Sequence, residues 1–167
     1  MKVGMKSVIP KKKSIFAEFY KDKPPHKDMV YRRYYNTGGN RMTPEERHRA
    51  KELGKWGEET AVQYLKDNGY AILERNYRKG HLEIDIIAYY EGLLVVVEVK
   101  TRSSDTFMRP EEAVNHKKRV DLMRLATYYI KSHRMTEEVR FDVISIVANA
   151  QGTEIQHIKD AFNNFYY

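Results

Sequence analysis

The chain has 167 residues, 41% of them hydrophobic, with a net charge of +7 and no cysteine. That length can bury one sizeable core, and the absence of cysteine excludes disulfides and thiolate metal sites. No stretch approaches the roughly 18 continuous apolar residues of a membrane helix, and the lysine-rich start lacks the apolar run of a secretion signal, so a cytoplasmic protein with no membrane partner is expected.

The charge is unevenly placed. Residues 1–41 hold 11 Lys/Arg against 3 Asp/Glu, a net of +8, which leaves residues 42–167 at −1. This reads as a basic, flexible amino-terminal extension, residues 1–41, followed by one domain, residues 42–167. Pro24-Pro25 and Gly38-Gly39 interrupt any helical period in the extension. Its Tyr31-Arg32-Arg33-Tyr34-Tyr35 run suits a phosphate backbone and stacking on bases, although a solvated tail is the simpler reading. A start at Met42 would remove the extension, and the intact mass of the native protein decides that point.

Thr43-Pro44-Glu45-Glu46 is a helix N-terminus signal, and the apolar stripe of Ala61, Val62 and Leu65 in KWGEETAVQYLKDNGY continues as a helix. At 100° per residue Glu58 projects along that stripe, with Glu59 on its border. A core-facing glutamate needs a partner or a site to reach. A salt bridge at the helix start is the plain alternative.

A three-stranded antiparallel meander follows from about Ala71 to Lys100, with turns at Lys79-Gly80 and Glu91-Gly92. In HLEIDIIAYY, alternation puts Ile84 and Ile86 on one face and Glu83 and Asp85 on the other. In LLVVVEVKTR, the run Leu93 to Val97 reads as a strand buried on both faces until Glu98 interrupts it. Glu98 and Lys100 share a face, and the hairpin sets Asp85 beside Glu98. Two carboxylates at the edge of an apolar environment resist ionising unless a cation joins them. Mg²⁺ or Mn²⁺ fits, taking one or two carboxylates and a backbone carbonyl such as that of Val99. Lys100 can then hold the attacking water and stabilise charge on a phosphate. The competing reading is a structural ion-pair cluster at a strand end.

Arg109-Pro110-Glu111-Glu112 predicts the start of a second helix, running to about His133. Lys117 and Lys118 near its start, and Arg102 beyond Lys100, are candidate nucleic-acid contacts, although a lysine run on a helix usually marks a solvated face. Residues 140–147 read as a further strand, in which Asp142 is assigned a structural basic partner. A last strand is expected at Glu154 to Ile158. The six histidines have no metal-ligand spacing, so zinc is not indicated, and there is no phosphate-binding glycine loop.

With Glu58, Asp85, Glu98 and Lys100 in this order, the chain resembles the PD-(D/E)xK nuclease superfamily, which includes Holliday-junction resolvases. GKWGEETAVQYLKDNGYAILERNYR, EIDIIA, VVVEVKTR, AVNHKK and RFDVI are similar in content and order to the YraN-type family of bacterial endonuclease-like proteins. The resemblance covers about Leu53 to Phe162 and departs where the family usually has glycine before Glu-Ile-Asp, a place held here by Leu82. It implies an α/β fold with the restriction-endonuclease-like αβββαβ core, a mixed sheet flanked by helices. It also implies Glu58 as the helix carboxylate, Asp85 and Glu98 as metal ligands, Lys100 as the catalytic lysine, and Lys118 at the place of a family lysine. The function expected is metal-dependent hydrolysis of nucleic acid, most readily DNA, by a chain acting alone, as a homodimer or with a partner protein. The alternative is a nucleic-acid-binding or adaptor module that keeps the site without turnover.

Overall fold

The structure is a computed structural model that describes residues 6–8, 43–102, 114–149 and 152–162. Its elements in order are β1 (Lys6–Val8), α1 (Pro44–Asp67), β2 (Ala71–Lys79), β3 (Leu82–Tyr90), β4 (Leu93–Arg102), α2 (His116–His133), β5 (Glu138–Asn149) and β6 (Gly152–Phe162). Of the predicted extension, only the backbone of β1 is described, and it pairs antiparallel with β6. The aromatic and basic run at residues 31–35 and the proposed start at Met42 lie outside the described residues.

Helix α1 begins where its signal predicts. Thr43 accepts a hydrogen bond from the Glu46 amide, and the Glu46 carboxylate accepts one from the Thr43 amide, so two otherwise unpaired groups satisfy each other. Strands β2, β3 and β4 form the antiparallel meander, and β5 lies parallel to β4 after the α2 crossover, as a parallel pair requires. The β3–β4 turn has Glu91 at φ 49° and Gly92 at φ 83°, the backbone that a two-residue hairpin needs to match the strand twist. The sheet order is β1-β6-β5-β4-β3-β2, mixed and six-stranded. The expected αβββαβ core is present, and β6 is longer than the predicted Glu154–Ile158.

The core lies on both faces of the sheet. Ala61, Val62 and Leu65 of α1 pack with Ile86, Ala88, Val95, Val97, Ile144 and Ile146. On the other face Leu122, Leu125, Ala126 and Tyr129 of α2 pack with Leu82, Ile84, Ile87, Leu94, Val96 and Val143. The continuous apolar run of β4 is explained by this arrangement, since alternate residues serve opposite layers.

Two expectations are corrected. Helix α2 starts at His116, with Asn115 as its N-cap in extended backbone and its side chain accepting from the Lys118 amide. The predicted start at Arg109-Pro110-Glu111-Glu112 lies outside the described residues; within them, the Asn115 side chain satisfies a free helix amide and sets the boundary of α2. The second concerns Ile84 and Ile86, which serve opposite faces of the sheet. Alternation therefore slips by one residue at Asp85.

Candidate active site

The slip at Asp85 coincides with the parting of two strands. The β3–β4 ladder ends at Ile86 opposite Val97, and beyond it the Asp85 carboxylate accepts the Val99 amide at 2.7 Å. A side chain thus replaces the backbone partner that β3 no longer supplies. In a strand the N–H and C=O of one residue point to the same side, so the Val99 carbonyl also faces the opened gap.

That gap is a cleft of about 330 Å³, lined by Ala50, Leu53, Gly54, Glu58, Asp85, Glu98, Val99, Lys100 and Thr101. All four residues of the predicted catalytic set line it. Glu58 is delivered by α1, which approaches β4 closely because residue 57 is glycine: a Cβ there would lie 1.7 Å from Thr101 Oγ1. Gly57→Ala is expected to force α1 away from β4, costing about 1–3 kcal/mol of stability and displacing the adjacent Glu58. Urea unfolding of the variant checks this.

Glu98 is only 3% exposed. Its Oε1 accepts from the Lys100 ammonium at 2.6 Å, and the Lys118 ammonium lies 3.1 Å from Oε2. The Lys118 contact is a charge contact without hydrogen-bond alignment, because Oε2 has no hydrogen-bond partner and Lys118 donates instead to the Glu83 carbonyl at 3.1 Å. Lys118 therefore reaches the site from α2, opposite to the helix that brings Glu58. Lys117 is exposed, and Arg102 is half-buried at the end of β4. Neither lines the cleft.

Asn76 was not legible as a site residue. It falls between the pairs Arg75–Ile86 and Tyr77–Ile84, hence opposite Asp85, and it donates to Glu58 Oε2 at 2.8 Å. Its φ of 50° is a backbone that asparagine tolerates better than most residues. In a strand that otherwise reads as polar and exposed, one more amide gave no signal. Glu59, on the stripe's border, pairs instead with Arg75 at 2.7 Å.

The electrostatics single out Asp85. Burial, and then the neighbouring Glu98 charge, push its carboxyl up to about 7, against the pull of the Val99 amide and Lys118. Because the folded value lies above the unfolded one, the native state holds a proton that the unfolded chain releases near pH 4, and stability falls as pH rises from there to about 7. Asp85→Asn keeps an acceptor for the Val99 amide and removes the charge. Its melting temperature is expected to match wild type near pH 4 and to exceed it increasingly up to about pH 7, which thermal melts across that range measure.

Among the described residues no three His, Cys, Asp or Glu side chains group as a ready three-ligand cage. Magnesium does not require one, since it commonly keeps several waters and takes one or two carboxylates. Asp85, Glu98 with its unbonded Oε2, and the Val99 carbonyl fit that smaller demand.

Comparison with known proteins agrees in extent with this core. The model of "Uncharacterised protein family UPF0102" matches residues 57–146, which include all four predicted catalytic residues and Lys118. A UPF0102 protein of Bacteroides thetaiotaomicron is 50% identical over 111 residues, covering 66% of this chain and 92% of the relative. One from Christiangramia forsetii is 47% identical over 116 residues, 70% and 96% of the two chains. One from Alkaliphilus oremlandii is 46% identical over 115 residues, 67% and 98%. With relatives this similar along nearly their whole length, and a family match spanning α1 to β5, the chain belongs to the UPF0102 family, the YraN-type group that its motifs resemble.

Proposed function

We propose that the protein is a divalent-metal-dependent nuclease that hydrolyses phosphodiester bonds, with DNA as its substrate. One contrast between two buried carboxylates supports this reading. Asp142 is saturated: its Oδ1 accepts from Arg140 and the Asp160 amide, and its Oδ2 from Arg140 with His157 Nε2 at 2.8 Å. Glu98, equally buried one strand away, has one oxygen that makes only a charge contact with Lys118 and no hydrogen bond, and it lines an open cleft beside a second carboxylate. A structural carboxylate satisfies its oxygens, whereas one left short in a cleft points to a ligand.

Asp85, Glu98 and the Val99 carbonyl would hold Mg²⁺ or Mn²⁺, which supplies positive charge where the phosphate becomes more negative during displacement. Lys100 orients the attacking water and stabilises the same charge from the strand side. Glu58, held by Asn76, orients water from the helix side. Lys118, 3.1 Å from Glu98 Oε2, offsets the charge of that carboxylate. The water oxygen bonds to phosphorus, the P–O3′ bond breaks, and the products are a 5′-phosphate and a 3′-hydroxyl. Arg102 and Lys117, outside the cleft, would contact flanking phosphates, which position the strand without taking part in chemistry.

The test incubates full-length protein with linear duplex, single-stranded, flapped and four-way-junction DNA and with structured RNA, in Mg²⁺, Mn²⁺ or EDTA. Metal-dependent cleavage of at least one DNA is expected. Salt-sensitive binding without cleavage in any metal would favour a binding or adaptor module. Cleavage confined to RNA would correct the substrate. Light scattering on the same preparation tells a monomer from the homodimer that paired cuts would need.

A further inference from the structure

Half of α1 stands clear of the core. Its buried residues, Gly57, Ala61, Val62 and Leu65, all lie in the second half, and none of residues 44–55 is buried. From that projecting half, Ala50, Gly54 and Glu58 recur every four residues, so they form one row along the helix, and all three line the cleft.

Gly54 is the unexplained member of this row. Glycine inside a helix is unfavourable relative to alanine because it fixes the most flexible backbone. Gly57 has a packing reason in Thr101, but a Cβ on Gly54 would meet nothing within 4 Å among the described residues. Among the described residues its missing side chain serves no packing contact, and it leaves bare helix backbone as a wall of the cleft. A second observation indicates that this cleft takes a ligand: Glu98, 3% exposed, lines it with an oxygen that makes a charge contact with Lys118 but no hydrogen bond. Exposed Lys51 and Lys55 flank the row, the Lys55 ammonium pairing with Glu52 at 3.0 Å.

We propose that the Ala50–Gly54–Glu58 row is a substrate subsite across which the sugar–phosphate backbone of one DNA strand passes, with Gly54 as its point of closest approach. The subsite rests on the nuclease reading and adds the path by which the strand reaches Asp85, Glu98 and Lys100. Glycine is the residue that lets a second backbone come this close, and a side chain there would hold the scissile phosphate away from the site.

The experiment compares wild type with Gly54→Ala, Gly54→Leu and Gln63→Leu, the last on the opposite side of α1. It measures binding of a fluorescein-labelled DNA oligonucleotide in EDTA by anisotropy, cleavage in Mn²⁺, and thermal melting. Gly54→Ala is expected to melt about 2–4 °C higher than wild type while its cleavage falls about 10-fold, because small misplacements at a reacting centre are costly. Gly54→Leu is expected to lose binding by a larger factor, with Gln63→Leu unchanged. A glycine kept for a structural reason would instead lower the melting temperature on becoming alanine, and that result overturns the proposal. Wild-type binding and cleavage in both Gly54 variants overturn it as well, and leave the nuclease reading intact. If wild type neither binds nor cleaves any nucleic acid, the nuclease reading itself fails and the subsite falls with it.

Discussion

Glu98→Ala is expected to lower metal-dependent cleavage by about 10³-fold or more, and Lys100→Ala by about 10²–10³-fold. On the proposed nuclease reading, the first removes a metal ligand and the second removes the positive charge nearest the attacked phosphate. The double variant should be little worse than Glu98→Ala alone, because groups acting on one transition state do not add. Folding should survive: Lys100 and Lys118 are 35% and 30% exposed, so either ammonium can turn to water once its carboxylate is gone. DNA binding should change less than cleavage, because on that reading phosphate contacts elsewhere hold the strand. Initial rates in Mn²⁺, together with far-UV circular dichroism, measure both effects. Full cleavage by Lys100→Ala would remove lysine from the mechanism.

The largest effect on stability is expected at Asp142. Burial alone would raise its carboxyl, but His157, Arg140 and the Asp160 amide hold it below the usual carboxylate range. Asp142→Ala strands Arg140, whose side chain is 15% exposed and which also donates to the Tyr70 hydroxyl at 3.0 Å. Removing one partner of a buried ion pair costs about 3–5 kcal/mol, which for a chain of this size lowers the melting temperature by about 10 °C. The remaining folded protein should cleave normally, since Asp142 does not line the cleft. The depressed carboxyl also fixes the direction with pH: its stabilising contribution is present above the unfolded value near 4 and is lost as pH falls through the lower folded value. Variant and wild type should therefore converge in acid.

What the sequence made legible follows from local periodicity. Glu98 and Lys100 stand out because they interrupt an apolar run, and Glu58 because it shares a helical stripe with Ala61, Val62 and Leu65. The structural partner expected for Asp142 was also readable, since a basic residue two positions away on the same strand face is Arg140. The register slip at Asp85 was not readable, because it depends on where β3 and β4 part and not on either strand's own pattern. Lys118 was legible as a candidate phosphate contact at the place of a family lysine, but nothing in α2 tells that its ammonium reaches Glu98. Asn76 and Gly54 escaped for a related reason: each matters through what lies across a gap from it.

The expected effects on cleavage depend on Asp85 and Glu98 jointly holding one divalent cation. The most direct measurement is a titration of wild type, Asp85→Asn and Glu98→Ala with Mn²⁺ at pH 8, followed by electron paramagnetic resonance of the free ion. One site per chain in wild type, lost in both variants while they remain folded, is the expected result. Undiminished Mn²⁺ binding in Glu98→Ala, or none in wild type under conditions that support cleavage, would contradict the assignment of the metal site.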